Sequence, residues 1–177
     1  ICIPTVRDRL VQRAIVTWLV QTGKVPQQDF VYGIKGQGLQ KAIKQALSLR
    51  ASLEWCLKTD IQAFFDKINR DKLKLLVSKR LRDSSITPLL FAAIDREIRP
   101  RPSSQLLEIE QAGIVRGIGV RQGMPLSPLL ANFSLNEFDD TCRKSGVKIL
   151  RYADDILAFF ATKTDAEKGF AIIRSAL

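Results

Sequence analysis

The chain has 177 residues, 46% of them hydrophobic and 26% charged, enough to bury a core in one domain or two small lobes. Its 28 Lys and Arg against 18 Asp and Glu give a net charge of +10, which draws phosphate backbones and points first to nucleic acid, with an anionic membrane surface or solubility alone as alternatives. Without any His, Ser-His-Asp and Cys-His nucleophile systems are excluded and a zinc site is not expected. The cysteines, Cys2, Cys56 and Cys142, form no Cys-x-x-Cys pair and read as small buried hydrophobes in a reducing compartment. No apolar stretch approaches the ~20 residues of a membrane span, so no membrane partner is expected. The start, Ile1-Cys2-Ile3-Pro4, lacks the charged region of a signal peptide and reads like the middle of a strand. The chain is therefore expected to be a piece of a longer, cytoplasmic protein.

In chain order, Pro4-Thr5-x-x-Asp8 resembles a capping box and opens a helix over 5–21, with Val6, Leu10, Val11, Ala14, Ile15 and Trp18 at helical spacing. Arg7, Arg9 and Arg13 lie on its other face, read first as solvated and second as a phosphate-tracking face. The glycine-dense run Phe30 to Gly38, with Lys35 between glycines, matches neither a P-loop nor a dinucleotide fingerprint and suffices as a loop into a helix over 39–49. Residues 54–61 alternate like a strand, with Trp55, Leu57, Thr59 and Ile61 against Cys56, Lys58 and Asp60. Asp66 reads as turn chemistry before a helix over 69–81 that Asn69 caps. Thr87-Pro88 opens another helix reaching Ile98, and residues 99–113 read as a loop.

Gly117 to Pro128 follows, with alternate glycines that let backbone approach a ligand and with Arg121 and Gln122 supplying donors beside it. Ser127-Pro128 starts a helix to about Arg143 that buries Leu129, Leu130, Phe133 and Phe138 and exposes Asn132, Asn136 and Glu137. Its Asp139-Asp140 pair reads as surface. Two apolar runs, 147–150 and 156–160, flank Asp154-Asp155 and predict a β-hairpin. Two adjacent like charges repel, and a divalent cation would relieve them because hard carboxylate oxygens suit Mg²⁺. On the pair alone, a solvated turn and a cation site both stay open. Thr164-x-x-Glu167 reads as the capping box of a last helix.

The strand ending at Asp60, the helix from Ser127, the hairpin and the last helix run β-α-β-β-α, one strand short of a split βαββαβ unit. In that unit the first strand and the hairpin are neighbours in one antiparallel sheet, which puts Asp60 and Asp154 side by side at one end of it. Those two with Asp155 make a donor set for two Mg²⁺ ions, the arrangement suited to in-line phosphoryl transfer.

Five stretches in register resemble the fingers and palm of a reverse transcriptase, most closely the bacterial group II intron-like ones. They are Ile3 to Gln12, Tyr32-Gly33, Thr59-Asp60-Ile61 with Phe64-Phe65-Asp66, Gln122-Gly123 with Ser127 to Asn132, and Arg151-Tyr152-Ala153-Asp154-Asp155. Arg121 stands where intron-encoded members usually carry Pro. The resemblance implies an α+β fold: a polymerase right-hand palm, a ferredoxin-like antiparallel sheet with helices packed on it, over 55–67 and 126–177. A partial, largely helical fingers subdomain would cover 1–54 and 68–125, with the thumb absent. It further implies that Asp60, Asp154 and Asp155 are catalytic metal ligands for two Mg²⁺, with Mn²⁺ as a substitute. Ile61, Gln62, Ala63 and Phe64 would lie along a dNTP triphosphate, Phe65 would crowd a ribose 2′-OH, Gln122 would contact the incoming nucleotide, and Tyr152 would lie beneath the primer terminus. The implied activity is RNA-directed DNA polymerisation on an RNA template from a DNA or RNA primer. An RNA-dependent RNA polymerase and a non-catalytic RNA-binding scaffold are the competing readings.

Overall fold

The structure, a computed structural model, describes residues 3–33, 37–82, 85–98 and 105–177. The expectations at Cys2, at Ile34-Lys35-Gly36 and for residues 99–104 lie outside these. In chain order the described elements are α1 (Val6–Gln21), β1 (Val31–Tyr32), α2 (Leu39–Arg50), β2 (Trp55–Thr59), α3 (Phe64–Lys67), α4 (Arg70–Leu81) and α5 (Thr87–Ile94). Then come α6 (Gln105–Gln111), α7 (Ser127–Ser134), α8 (Asn136–Lys144), β3 (Lys148–Tyr152), β4 (Asp155–Phe160) and α9 (Lys163–Ala176). They divide between two units, the first comprising Ile1–Val25 and Ala63–Ser134, the second Pro26–Gln62 and Leu135–Leu177. Among the described residues no helix is long and apolar enough to cross a membrane.

The second unit is built on one sheet with strand order β1-β3-β4-β2. The hairpin β3–β4 and the β2–β4 pair are antiparallel, as the β-α-β-β-α order requires, while β1 adds a parallel edge beside β3. That edge falls in the stretch read as a loop, because two residues are too few to show an alternating pattern. Side chains alternate across the sheet. Leu150 and Phe159, with Tyr32, form a core under Ala42, Ala46 and Leu49 of α2. Ile149, Arg151, Ile156, Ala158 and Phe160 fall on the opposite face, against which α8 and α9 pack. Gly169 lets α9 approach that face: a Cβ there would stand 2.1 Å from the Phe160 ring. Thr162 caps α9, accepting from the Asp165 N–H at 3.1 Å, so the cap sits two residues before the expected Thr164. Cys142 is buried as expected, but Cys56 is exposed because β2 is an edge strand.

The first unit is helical, with α4 packed on α5 and α7. Leu73, Val77, Leu90, Ile94, Leu130 and Phe133 are among its fully enclosed side chains. The Thr5 and Asn69 caps form as expected, accepting from the Asp8 and Lys72 N–H groups. The buried stripe of α1 is Gln12, Ile15 and Leu19, whereas Val6, Leu10 and Val11 are exposed. A polar residue holds a core position there because the Gln12 Oε1 accepts from the Leu126 N–H (3.4 Å). Residues 105–111, read as loop, form α6. The single helix expected from Ser127 is interrupted at Leu135, whose φ of −91° and ψ of 3° separate α7 from α8. Asn132 is buried rather than exposed.

Candidate functional site

The end of the second unit's sheet gathers the three predicted acids. Thr59 pairs with Ile156, so Asp60 leaves β2 at the end where β3 turns into β4. Tyr152 pairs with Asp155, which leaves Ala153 and Asp154 as the two turn residues. Asp60 and Asp155 are exposed and Asp154 is half-buried. Among the described residues none of the three makes an ion pair. No group of three acids close enough to hold a metal forms among the described residues. The shared sheet end is thus present, while the side chains are not drawn into one ligand shell, consistent with the mutual repulsion of like charges. As a donor set, uncommitted carboxylate oxygens with access to solvent fit a hard divalent cation.

The turn itself is strained and braced. Ala153 has φ +55°, a left-handed conformation unusual for a residue with a Cβ. Its carbonyl accepts from Arg151 Nη1 at 2.9 Å. The rest of the Arg151 guanidinium pairs with Asp139 of α8 through Nε at 2.8 Å and Nη2 at 2.5 Å. Arg151 is 0% exposed and Asp139 3%, so the expectation that the Asp139-Asp140 pair lies at the surface is corrected for Asp139. Burial pushes the Asp139 carboxyl above its ordinary range against the pull of Arg151. Burial, then the Asp139 charge, pushes the Cys142 thiol up to about 11, so it stays a neutral hydrophobe. Period-two alternation puts Arg151 on the inner face beside Ile149, and that clash of charge with an apolar run was the available sign of a buried partner.

The predicted nucleotide contacts divide at the boundary between Gln62 and Ala63. Ile61, half-buried, and Gln62, exposed, belong to the second unit; Ala63, Phe64, Phe65 and Gln122 belong to the first. Ala63 is also left-handed, with φ +52°, and it launches α3. Phe64 is buried with its ring edge-on to half-buried Phe65, centroids 5.4 Å apart. The segments carrying Phe65 and Gln122 are bonded together: Val120 N–H donates to the Phe65 carbonyl at 2.7 Å, and Gly119 N–H to the Ile68 carbonyl at 2.9 Å. Only glycine allows this approach at position 119, since φ is +75° and a Cβ would stand 2.6 Å from the Asp66 carbonyl oxygen.

An ion triad of two buried arginines and the half-buried Glu97 supports the same strand-like pairing. Arg70 Nε donates to the Gly119 carbonyl at 2.8 Å while its Nη1 meets Glu97 Oε1 at 2.6 Å. Arg121 Nη2 meets Glu97 Oε2 at 2.6 Å, and the Gly117 N–H also donates to Glu97 at 2.9 Å. Burial alone would raise the Glu97 pKa, but the bonds from Arg70, Gly117 and Arg121 together lower it to about 2. Arg121 was expected to offer donors to a ligand; instead its side chain turns inward and is 4% exposed. Gln122 beside it is exposed. Ser127 was expected to cap α7, but its Oγ donates to the Arg121 carbonyl at 2.6 Å and fixes the same loop. Glu97 was not legible as a partner because it lies 27 residues from Arg70 and 24 from Arg121, with no local pattern linking them.

The family model described as "Reverse transcriptase (RNA-dependent DNA polymerase)" matches residues 1–177. Protein YkfC of Escherichia coli (strain K12) is 30% identical over 145 residues, covering 77% of this chain and 35% of that protein. The group II intron-encoded protein LtrA of Lactococcus lactis subsp. cremoris is 28% identical over 138 residues, covering 77% of this chain and 22% of LtrA. The chain therefore spans about a third or less of the length of these curated relatives. Among solved structures, a chain of a partial Cas6-RT-Cas1–Cas2 complex is 27% identical, with a TM-score of 0.46, covering 91% of this chain and 28% of that one.

Proposed function

Because the chain belongs to the reverse transcriptase (RNA-dependent DNA polymerase) family, we propose that it carries the nucleotidyl-transfer centre of an RNA-directed DNA polymerase. The observation that carries the proposal is the common sheet end at which Asp60 leaves β2 and the β3–β4 turn presents Asp154 and Asp155. Asp60 and Asp154 are the principal metal ligands in this reading, and Asp155 the third acid. These three acids would hold two Mg²⁺, or Mn²⁺ in their place, and the chemistry so supplied would be activation of the primer 3′-OH and charge stabilisation for the leaving pyrophosphate. The reaction forms a bond from the primer 3′-oxygen to the α-phosphorus of a dNTP and breaks the bond to the bridging oxygen of the departing pyrophosphate.

The chain's own residues bind and orient. Ile61 to Phe64 lie along the triphosphate, Phe65 crowds the 2′ position of the sugar, Gln122 touches the incoming nucleotide, and the half-exposed Tyr152 ring floors the primer terminus. In this reading a deoxyribonucleotide is selected because an apolar Phe65 ring beside the sugar offers a 2′-OH no hydrogen-bond partner. The surplus of 28 basic over 18 acidic residues favours an RNA template and a DNA or RNA primer as partners. In this division of labour 55–67 and 126–177 are palm, and 1–54 and 68–125 are fingers, in a protein working in the cytoplasm. Primer extension on an RNA template by the natural full-length protein tests the reading. Mg²⁺-dependent incorporation of dNTPs in preference to rNTPs is expected; preference for rNTPs, or no extension at all, refutes it.

A further inference from the structure

We propose that the buried Arg151–Asp139 pair is a positioning device for the acidic turn, holding Ala153 left-handed so that Asp154 leaves the turn in one fixed direction. This rests on the reading of Asp154 as a metal ligand. The guanidinium is planar and carries its donors in a rigid fork. Nε and Nη2 are taken up by the Asp139 carboxylate at 2.8 and 2.5 Å. Their plane dictates where Nη1 points, and it points at the Ala153 carbonyl, 2.9 Å away. That carbonyl belongs to the peptide group whose nitrogen is Asp154's own, so fixing it fixes the path of the backbone into Asp154.

The restraint has something to work against. Left-handed alanine is disfavoured by roughly tenfold against its right-handed conformers, and the two-residue turn holds Ala153 at φ +55°. Residue 153 would ordinarily be glycine, which adopts that conformation without penalty. Asp139 is anchored in α8 and Arg151 in β3, both in the core, so the brace transmits the rigidity of helix and sheet to an otherwise open turn. The two bonds to Asp139 are shielded from competing water, since Arg151 is 0% exposed, and the bond to the Ala153 carbonyl is partly so.

The test is site-resolved Mn²⁺ binding, read as paramagnetic broadening of the Asp60, Asp154 and Asp155 amide signals of the isotope-labelled chain. Asp154→Asn serves as the control, and melting is followed in parallel. Arg151→Lys keeps the charge facing Asp139 but loses the fork, and is expected to need roughly tenfold more Mn²⁺ for the same broadening. Adding Ala153→Gly to that variant is expected to restore most of the loss, because glycine takes the left-handed conformation unaided. Should Arg151→Lys fail to fold, Arg151→Met with Asp139→Leu replaces the pair by apolar side chains of similar volume. It is expected to show the same weakening and the same rescue. Wild-type Mn²⁺ response in a folded variant that merely melts lower overturns the proposal, as does failure of Ala153→Gly to rescue. Absence of any Asp154-dependent broadening in the unaltered chain instead refutes the metal-site reading itself, and the proposal falls with it.

Discussion

Neutralising Glu97 removes the carboxylate that pairs with two buried guanidinium groups, and the structure sets the consequence for stability. In Glu97→Gln the contacts of 2.6 Å to both Arg70 and Arg121 lose their charge, and one of them meets an amide that donates rather than accepts. The Glu97 carboxyl is held at about 2 against an ordinary 4.5, and that difference corresponds to about 3 kcal/mol of stability near neutral pH. For a chain of this length a loss of about 3 kcal/mol lowers Tm by roughly 6–12 °C. The sign of the pH dependence follows from the direction of the shift. Because the folded value lies below the unfolded one, the contribution is complete above about pH 4.5 and disappears as pH falls towards about 2. Urea unfolding of both proteins should give a gap of about 3 kcal/mol at neutral pH, shrinking to about 1 kcal/mol one pH unit above the folded value. A gap under about 1 kcal/mol at neutral pH, or one that does not shrink on acidification, would refute the triad as a charge-dependent support of the Gly119–Gln122 loop.

Three further outcomes are expected. Gly119→Ala should destabilise the first unit by at least about 2 kcal/mol, since its Cβ meets the Asp66 backbone at a left-handed position that alanine resists; unaltered urea unfolding would contradict this. Gly169→Ala should lower Tm even though alanine is the better helix former by about 1 kcal/mol, because the new methyl collides with the buried Phe160 ring; a raised Tm in a thermal melt would show that the ring moves freely aside. Phe65→Val should erode discrimination between dNTP and rNTP in the full-length protein by an order of magnitude or more, measured as the ratio of kcat/KM values. Unchanged discrimination would remove Phe65 from the sugar pocket.

Much of the candidate site was readable because its information is local. The apolar runs on either side of Asp154-Asp155 specify the hairpin, and β-α-β-β-α order specifies that β2 joins it. The bracing behind those residues was not readable. Asp139 looks like any helix-surface acid until β3 is laid beside α8, and Glu97 finds its partners only through tertiary packing. The apolar spacing of α1 misled in the same way: Gln12 is buried by one distant bond while Val6 and Leu10 stay exposed. The two-residue strand β1 is fixed by its pairing with Arg151 and Tyr152 rather than by its own composition. Short-range pattern thus revealed the candidate acids, and long-range contacts determined what holds the turn that carries two of them.

The central claim, that Asp154 at the sheet end is a ligand for the metals of nucleotide transfer, is tested most directly by primer extension with the full-length protein carrying Asp154→Asn. Removing one charged ligand should reduce dNTP incorporation on an RNA template by on the order of 10²-fold or more while leaving the melting transition nearly unchanged. Extension by Asp154→Asn at the wild-type rate would contradict the account.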